Sequence, residues 1–197
     1  MAARQMHRFR AHIRDVTRDA HERLDSRMSA LNLGARAGYE TFLRTTAAAL
    51  FPLEREIGAG APLTDWPRRR RSGCLARDLS RLGLAAPAPL DPPPLDGNAQ
   101  RLGALYVIEG SRLGGKMILK TVLDSGDDDM IAATQYLRHG ETDRLFHSFL
   151  DAASEHLTET VDIEDAAAAA RAVFALFEES LNRASTAAPV FRIQTTS

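Results

Sequence analysis

The residues with most chemistry to offer lie in one stretch, LGALYVIEGSRLGGKMIL, residues 102–119. Its apolar residues keep helical spacing, yet it holds Gly103, Gly110, Gly114 and Gly115. A glycine inside a helix costs about 0.8–1.0 kcal/mol relative to alanine, so four cost roughly 3–4 kcal/mol. That is a large share of a domain's net stability, and something must offset it. At about 100° per residue, Gly103, Gly110 and Gly114 fall within roughly 40° of one another. They make a stripe of bare backbone that another body can touch. Glycines near 110–115 also let the helix bend. Tyr106 lies beside the stripe, and Glu109, Arg112 and Lys116 are expected on the far side. Two readings fit: a second helix packed close, or a flat ligand lying against the backbone. The Gly114-Gly115 pair favours the ligand, because close packing needs one bare face and Gly115 lies off it.

A flat ligand that carries iron needs an axial imidazole, neutral and held by its other ring nitrogen. The chain has six histidines: His7, His12, His21, His139, His147 and His156. His21, in TRDAHERLD, has Thr17 one turn before it and Leu24 and Met28 one and two turns after it. It therefore borders the apolar face of its helix, and Asp25 at i+4 is placed to restrain the ring. A boundary histidine without a ligand is the plain alternative. His12, His147 and His156 also lie on expected helices, and periodicity does not exclude them.

The elements that must position these groups are helical almost throughout. Phe9, Ile13, Val16, Ala20, Leu24 and Met28 give one apolar face over about six turns. Tyr39, Phe42, Leu43, Thr46, Leu50, Leu53 and Ile57 repeat the pattern, with Pro52 expected to kink or break it. Trp66-Pro67 opens a third, basic segment, whose Leu75, Leu79 and Leu82 form a stripe ending at Gly83. Residues 85–97, AAPAPLDPPPLDG, read as an extended loop. The glycine-bearing helix follows, from about 98 to 123. Asp127 to Asp129 cap a short fifth helix, Leu145 to Leu157 mark a sixth, and Asp162 caps an alanine-rich seventh. The expectation is an all-α, single-domain bundle of about seven helices over residues 1–184, with 185–197 as a patternless tail in which FRIQTT is a weak strand candidate.

Composition narrows the function classes. The 197 residues carry a net charge of −1, which gives no sign of a nucleic-acid or anionic-membrane partner. Cys74 is the only cysteine, so an intrachain disulfide is impossible. It has no evident base partner for nucleophilic work. No apolar run is long enough to span a bilayer and no secretory signal is seen, so a cytoplasmic location is expected. Arg68-Arg69-Arg70-Arg71 reads as a solvated helix start, with docking of an acidic electron donor as the alternative. Asp127-Asp128-Asp129 lacks calcium-loop spacing and reads as a helix cap.

TRDAHERLD near the start and YVIEGSRLGGKMI in mid-chain resemble the proximal and distal helices of haem oxygenases. The likeness is closest to the bacterial branch associated with bacteriophytochromes, and it extends loosely over residues 9–183, including PLE at 52–54. The resemblance implies an enzyme for which haem is substrate and cofactor and dioxygen the co-substrate. It implies a ferredoxin or reductase as electron donor, and biliverdin, carbon monoxide and ferrous iron as products, with a bacteriophytochrome as a possible receiver of the biliverdin. By this resemblance His21 is the iron ligand. Gly110, Ser111 and Gly114 form the catalytic face of the distal helix, with Ser111 where animal members carry an aspartate. Arg14, Tyr106 and, more loosely, Arg171 match propionate partners. Surface charge and packing are the plain alternatives for those three. A non-enzymatic haem carrier or sensor on the same fold is the alternative function, and a scaffold that has lost the pocket is a third.

Overall fold

The computed structural model describes residues 2–157 and 159–187, with side chains over 8–157 and 159–184. Nine helical segments and no strand occur among the described residues. They are α1 (Ala2–Ser29), α2 (Arg36–Gly58), α3 (Trp66–Arg69), α4 (Ser72–Arg81), α5 (Asn98–Leu123), α6 (Asp128–Ala132), α7 (Gln135–Arg138), α8 (Leu145–His156) and α9 (Thr160–Ala187).

The apolar periodicities become buried faces. Tyr39, Phe42, Leu43, Leu50, Leu53 and Ile57 of α2 all enter the core. Each fully buried large apolar side chain contributes roughly 1.5–3 kcal/mol. Alanine-rich α9 runs through the centre and packs on α1, α2 and α5. Its small side chains permit a very close approach to α5. A Cβ at Gly103 would lie 2.0 Å from the Ala166 carbonyl oxygen. On α1, Phe9, Ile13 and Thr17 are buried, whereas Ala20, Leu24 and Met28 are only half-buried. The later part of its inner face borders open space as well as core, because Thr17, His21, Leu24 and Met28 line a cavity.

Several local expectations change. Pro52 neither breaks nor ends α2, which runs from Arg36 to Gly58. Proline removes the N–H that would bond the carbonyl of residue 48. The Ala48 oxygen is instead taken by the Leu90 N–H at 2.9 Å, from the proline-rich segment, whose Leu90 and Leu95 are buried. The basic third segment is two helices, α3 and α4, divided at Arg70 and Arg71. Helix α7 was not legible as a helix. It is held from outside, since the Asp78 carboxylate on α4 accepts from the Gln135 N–H at 2.9 Å and the Tyr136 N–H at 2.7 Å. Asp127 does cap α6, accepting from the Asp129 and Met130 amides. Helix α9 starts at Thr160, ahead of Asp162, and continues to Ala187, past the expected tail boundary at 185. FRIQTT lies outside the described residues.

Candidate functional site

A cavity of about 760 Å³ opens between α1 and the second half of α5, within the range of small-molecule and cofactor sites. Helix α1 supplies Arg10, Arg14, Thr17, Arg18, His21, Leu24 and Met28 to its lining. The spacing i, i+4, i+8 puts the three arginines on one stripe of that helix. The opposite wall is the backbone of Gly110, Gly114 and Gly115, with Ser111 among them. A Cβ at Gly114 would meet nothing within 4 Å, and one at Gly110 would reach only Phe146 Cε2, at 3.7 Å. Phe174 and Phe177 of α9 and Phe146 of α8 add apolar lining.

His21 stands on the α1 wall with its ring edge-on to Phe174, centroids 5.9 Å apart. Its Nδ1 lies 3.2 Å from the Asp25 carboxylate. A carboxylate at Nδ1 keeps the hydrogen there and leaves Nε2 as the lone-pair nitrogen. The other histidines have different surroundings. His12 lies 3.2 Å from Glu164, and exposed His156 contacts the Ala152 carbonyl through Nδ1. His139 and His147 do line the cavity. His139 is engaged by Arg112, whose Nη1 donates to its Nδ1 at 3.2 Å and to its carbonyl at 3.0 Å. Burial, and then the charges of Arg112 and Arg71, push the His139 pKa below 6.5.

Tyr106 also lines the cavity, its ring 6.1 Å from those of Phe9 and Phe146. Burial raises its phenol pKa against the opposing pull of Arg10 and Arg14, which places both guanidinium groups within electrostatic reach of that end. Arg14 and Tyr106 thus share one end of the cavity. Arg171 is exposed on α9 and is not among the lining residues. The structure does not bring it together with the others.

The far side of α5 is not a solvated face. Glu109 is fully buried, and its carboxylate lies between two arginines. Arg69 Nη1 donates to it at 3.1 Å, and Arg112 donates through Nη2 at 2.9 Å and Nε at 3.0 Å. Arg69 also bonds Asp65 at 2.7 Å and the Leu145 carbonyl at 2.8 Å. Arg112 and Lys116 reach the cavity lining. The expectation of a solvated arginine run fails for the same reason. Arg69 and Arg71 are 2% and 3% exposed, because the break between α3 and α4 turns alternate arginines inward. Buried cations need buried acceptors, and Glu109, the only carboxylate of the glycine stretch, is the available signal.

The residues present suit a planar iron-bearing ligand. One wall offers an imidazole with an available nitrogen, and the other offers backbone with space where a Cβ would stand. Comparisons with known proteins agree. No family model matches the chain. A haem oxygenase of Xanthomonas campestris pv. campestris (strain 8004) is 37% identical over 129 residues, 64% of this chain and 72% of that protein. The crystal structure of the NO- and CO-bound haem oxygenase from Neisseria meningitidis superposes with a TM-score of 0.75 at 18% identity, covering 89% of this chain and 91% of the other. The fold is thus the all-helical one of that structure. The identity to the Xanthomonas protein goes further: the chain belongs to the haem oxygenase family.

Proposed function

We propose that this chain is a haem oxygenase that binds haem between α1 and the 110–115 stretch of α5 and opens the ring to biliverdin, carbon monoxide and ferrous iron. The observation that carries this is the opposition of the His21 imidazole and side-chain-free α5 backbone across one cavity. When bound, haem supplies the iron at which dioxygen is activated and the carbon skeleton that is cut. His21 would hold the iron through its other ring nitrogen, while Asp25 fixes the ring and its tautomer through Nδ1. A neutral imidazole would supply less electron density to the iron than a thiolate would. Gly110 and Gly114 admit the macrocycle close to the backbone of α5, and Ser111 lies on the same wall. Arg14 and Tyr106, joined by Arg10, hold the propionates at one end of the cavity by charge-assisted and neutral hydrogen bonds. Phe146, Phe174 and Phe177 would give a bound macrocycle apolar contact. Electrons would come from a ferredoxin or reductase, the donor that the family resemblance implies. A bacteriophytochrome is the proposed receiver of the product, on the strength of the branch resemblance alone.

The test is haem titration followed by reduction in air. Wild-type protein should give a Soret band and then a biliverdin spectrum. His21→Ala should lose the axial-imidazole spectrum and recover turnover on addition of free imidazole. An unchanged spectrum with unchanged turnover would remove His21 from its role. Stable haem binding without biliverdin would favour the carrier alternative.

A further inference from the structure

Helix α5 loses its apolar anchorage midway. Up to Ile108 it buries Leu102, Leu105, Val107 and Ile108 in the core. From Glu109 to Ile118 it fully buries no apolar side chain. Leu113 and Met117 are 52% and 70% exposed, and Gly110, Gly114 and Gly115 have nothing to pack. Glycine also loses more backbone freedom on folding than any other residue. Apolar burial therefore does not account for the position of this run, yet this is the run that forms the cavity wall opposite His21.

A charged anchor stands where the apolar one ends. Glu109 is fully buried and, like Arg69, lies outside the cavity lining. Its two oxygens accept three hydrogen bonds, one from Arg69 and two from Arg112. Arg69 carries the link on to α8, donating to the Leu145 carbonyl and to Ser148 Oγ at 2.8 Å each. Arg112 carries it to the Arg69 carbonyl at 2.7 Å and to the His139 carbonyl at 3.0 Å. One carboxylate thus ties the head of the glycine run to α3, to α8 and to the segment that follows α7. Arg71 adds bonds to the Ile108 carbonyl and to Ser111 Oγ on the same turn. A carboxylate only accepts and a guanidinium only donates. Glutamine has the same shape, but its amino group would be set against an arginine donor.

We propose that Glu109 is a positioning residue, whose carboxylate, shared by Arg69 and Arg112, pins residues 110–118 from outside the cavity and so sets the place of the glycine wall opposite His21. The consequence for a bound ligand rests on the reading of the cavity as a haem site, whereas the pinning concerns the chain alone.

The test compares Glu109→Gln with Leu102→Ala, a core truncation on the same helix outside the cavity lining. Both should lower Tm, and both are measured well below it, with full helical circular dichroism. In the protein without haem, amide hydrogen exchange in Glu109→Gln should rise about tenfold more over residues 110–118 than over 102–108. In Leu102→Ala the rise should not favour 110–118. Haem affinity from Soret titration should fall about tenfold in Glu109→Gln, the equivalent of one charge-assisted hydrogen bond, and stay within about threefold in Leu102→Ala. If Glu109→Gln does not fold, Glu109→Asp, which keeps the charge on a shorter stem, should show both changes in smaller degree. Exchange over 110–118 that is unchanged in the folded Glu109 variant, or raised equally by Leu102→Ala, overturns the pinning. Faster exchange there with unaltered haem affinity overturns the positioning role. Absence of a Soret change in the unaltered protein would instead defeat the haem reading and the consequence for the ligand, while the exchange result would still decide the pinning.

Discussion

The two halves of α5 use the same residue for opposite ends. Around Gly103 the helix is welded to α9, and a methyl group there would strike the Ala166 backbone at 2.0 Å. From Gly110 to Gly115 the helix is a cavity wall, and a methyl group at Gly114 would touch nothing. Both glycines belong to one stripe on the helix surface. Close packing and ligand access, which compete as explanations in the sequence, therefore divide the stripe between them about two turns apart. A bare stripe reports that something approaches, and only the neighbour decides whether it is protein or substrate.

The largest expected effect lies on the packed half. Gly103→Ala should destabilise the fold by about 1–3 kcal/mol or more, because the clash is with backbone that cannot rotate away. Chemical denaturation measures this, and the folded fraction should still bind haem. Loss of haem binding by fully folded Gly103→Ala would break the division of roles. Next comes Gly114→Leu, which should abolish or severely weaken the Soret change on haem titration while leaving the helical circular dichroism intact. Gly114→Ala is subtler and has two signs. The protein without haem should gain about 0.8–1.0 kcal/mol from helix propensity, visible as a raised Tm, while haem affinity falls. A lowered Tm would show that the cavity wall is already filled. The smallest effect is in pH dependence. His139 has a folded pKa below the ordinary 6.5, so the unfolded chain takes up its proton first. Stability should fall as pH drops from about 6.5 toward the folded pKa, and His139→Gln should flatten that slope. An unaltered slope in this variant would show that burial does not hold the His139 pKa down.

What the sequence made legible was whatever repeats along one helix. The apolar faces of α1, α2 and α5, the Asp127 cap, the glycine stripe and the His21–Asp25 pair are all spaced by turns of a single element. What escaped depends on partners distant in the chain. Arg69 and Arg71 look solvated until Glu109, Ile108 and Ser111 are brought against them from about forty positions away. Helix α7 has four residues and exists because Asp78 caps it from α4. Arg171 shares the last helix with the cavity residues Phe174 and Phe177 but is exposed and outside the lining. Pro52 misleads in the opposite direction, since the carbonyl it orphans is rescued by a loop residue, Leu90.

Helix α1 makes its main contacts with α9 and α8, while α5 rests on α9 as well. The jaws of the vice are thus mounted on a common bar, and their spacing is inherited from it. Bulk added or removed at Phe174 or Phe177 should retune the fit for tetrapyrroles of different girth, with the imidazole and the glycines left untouched.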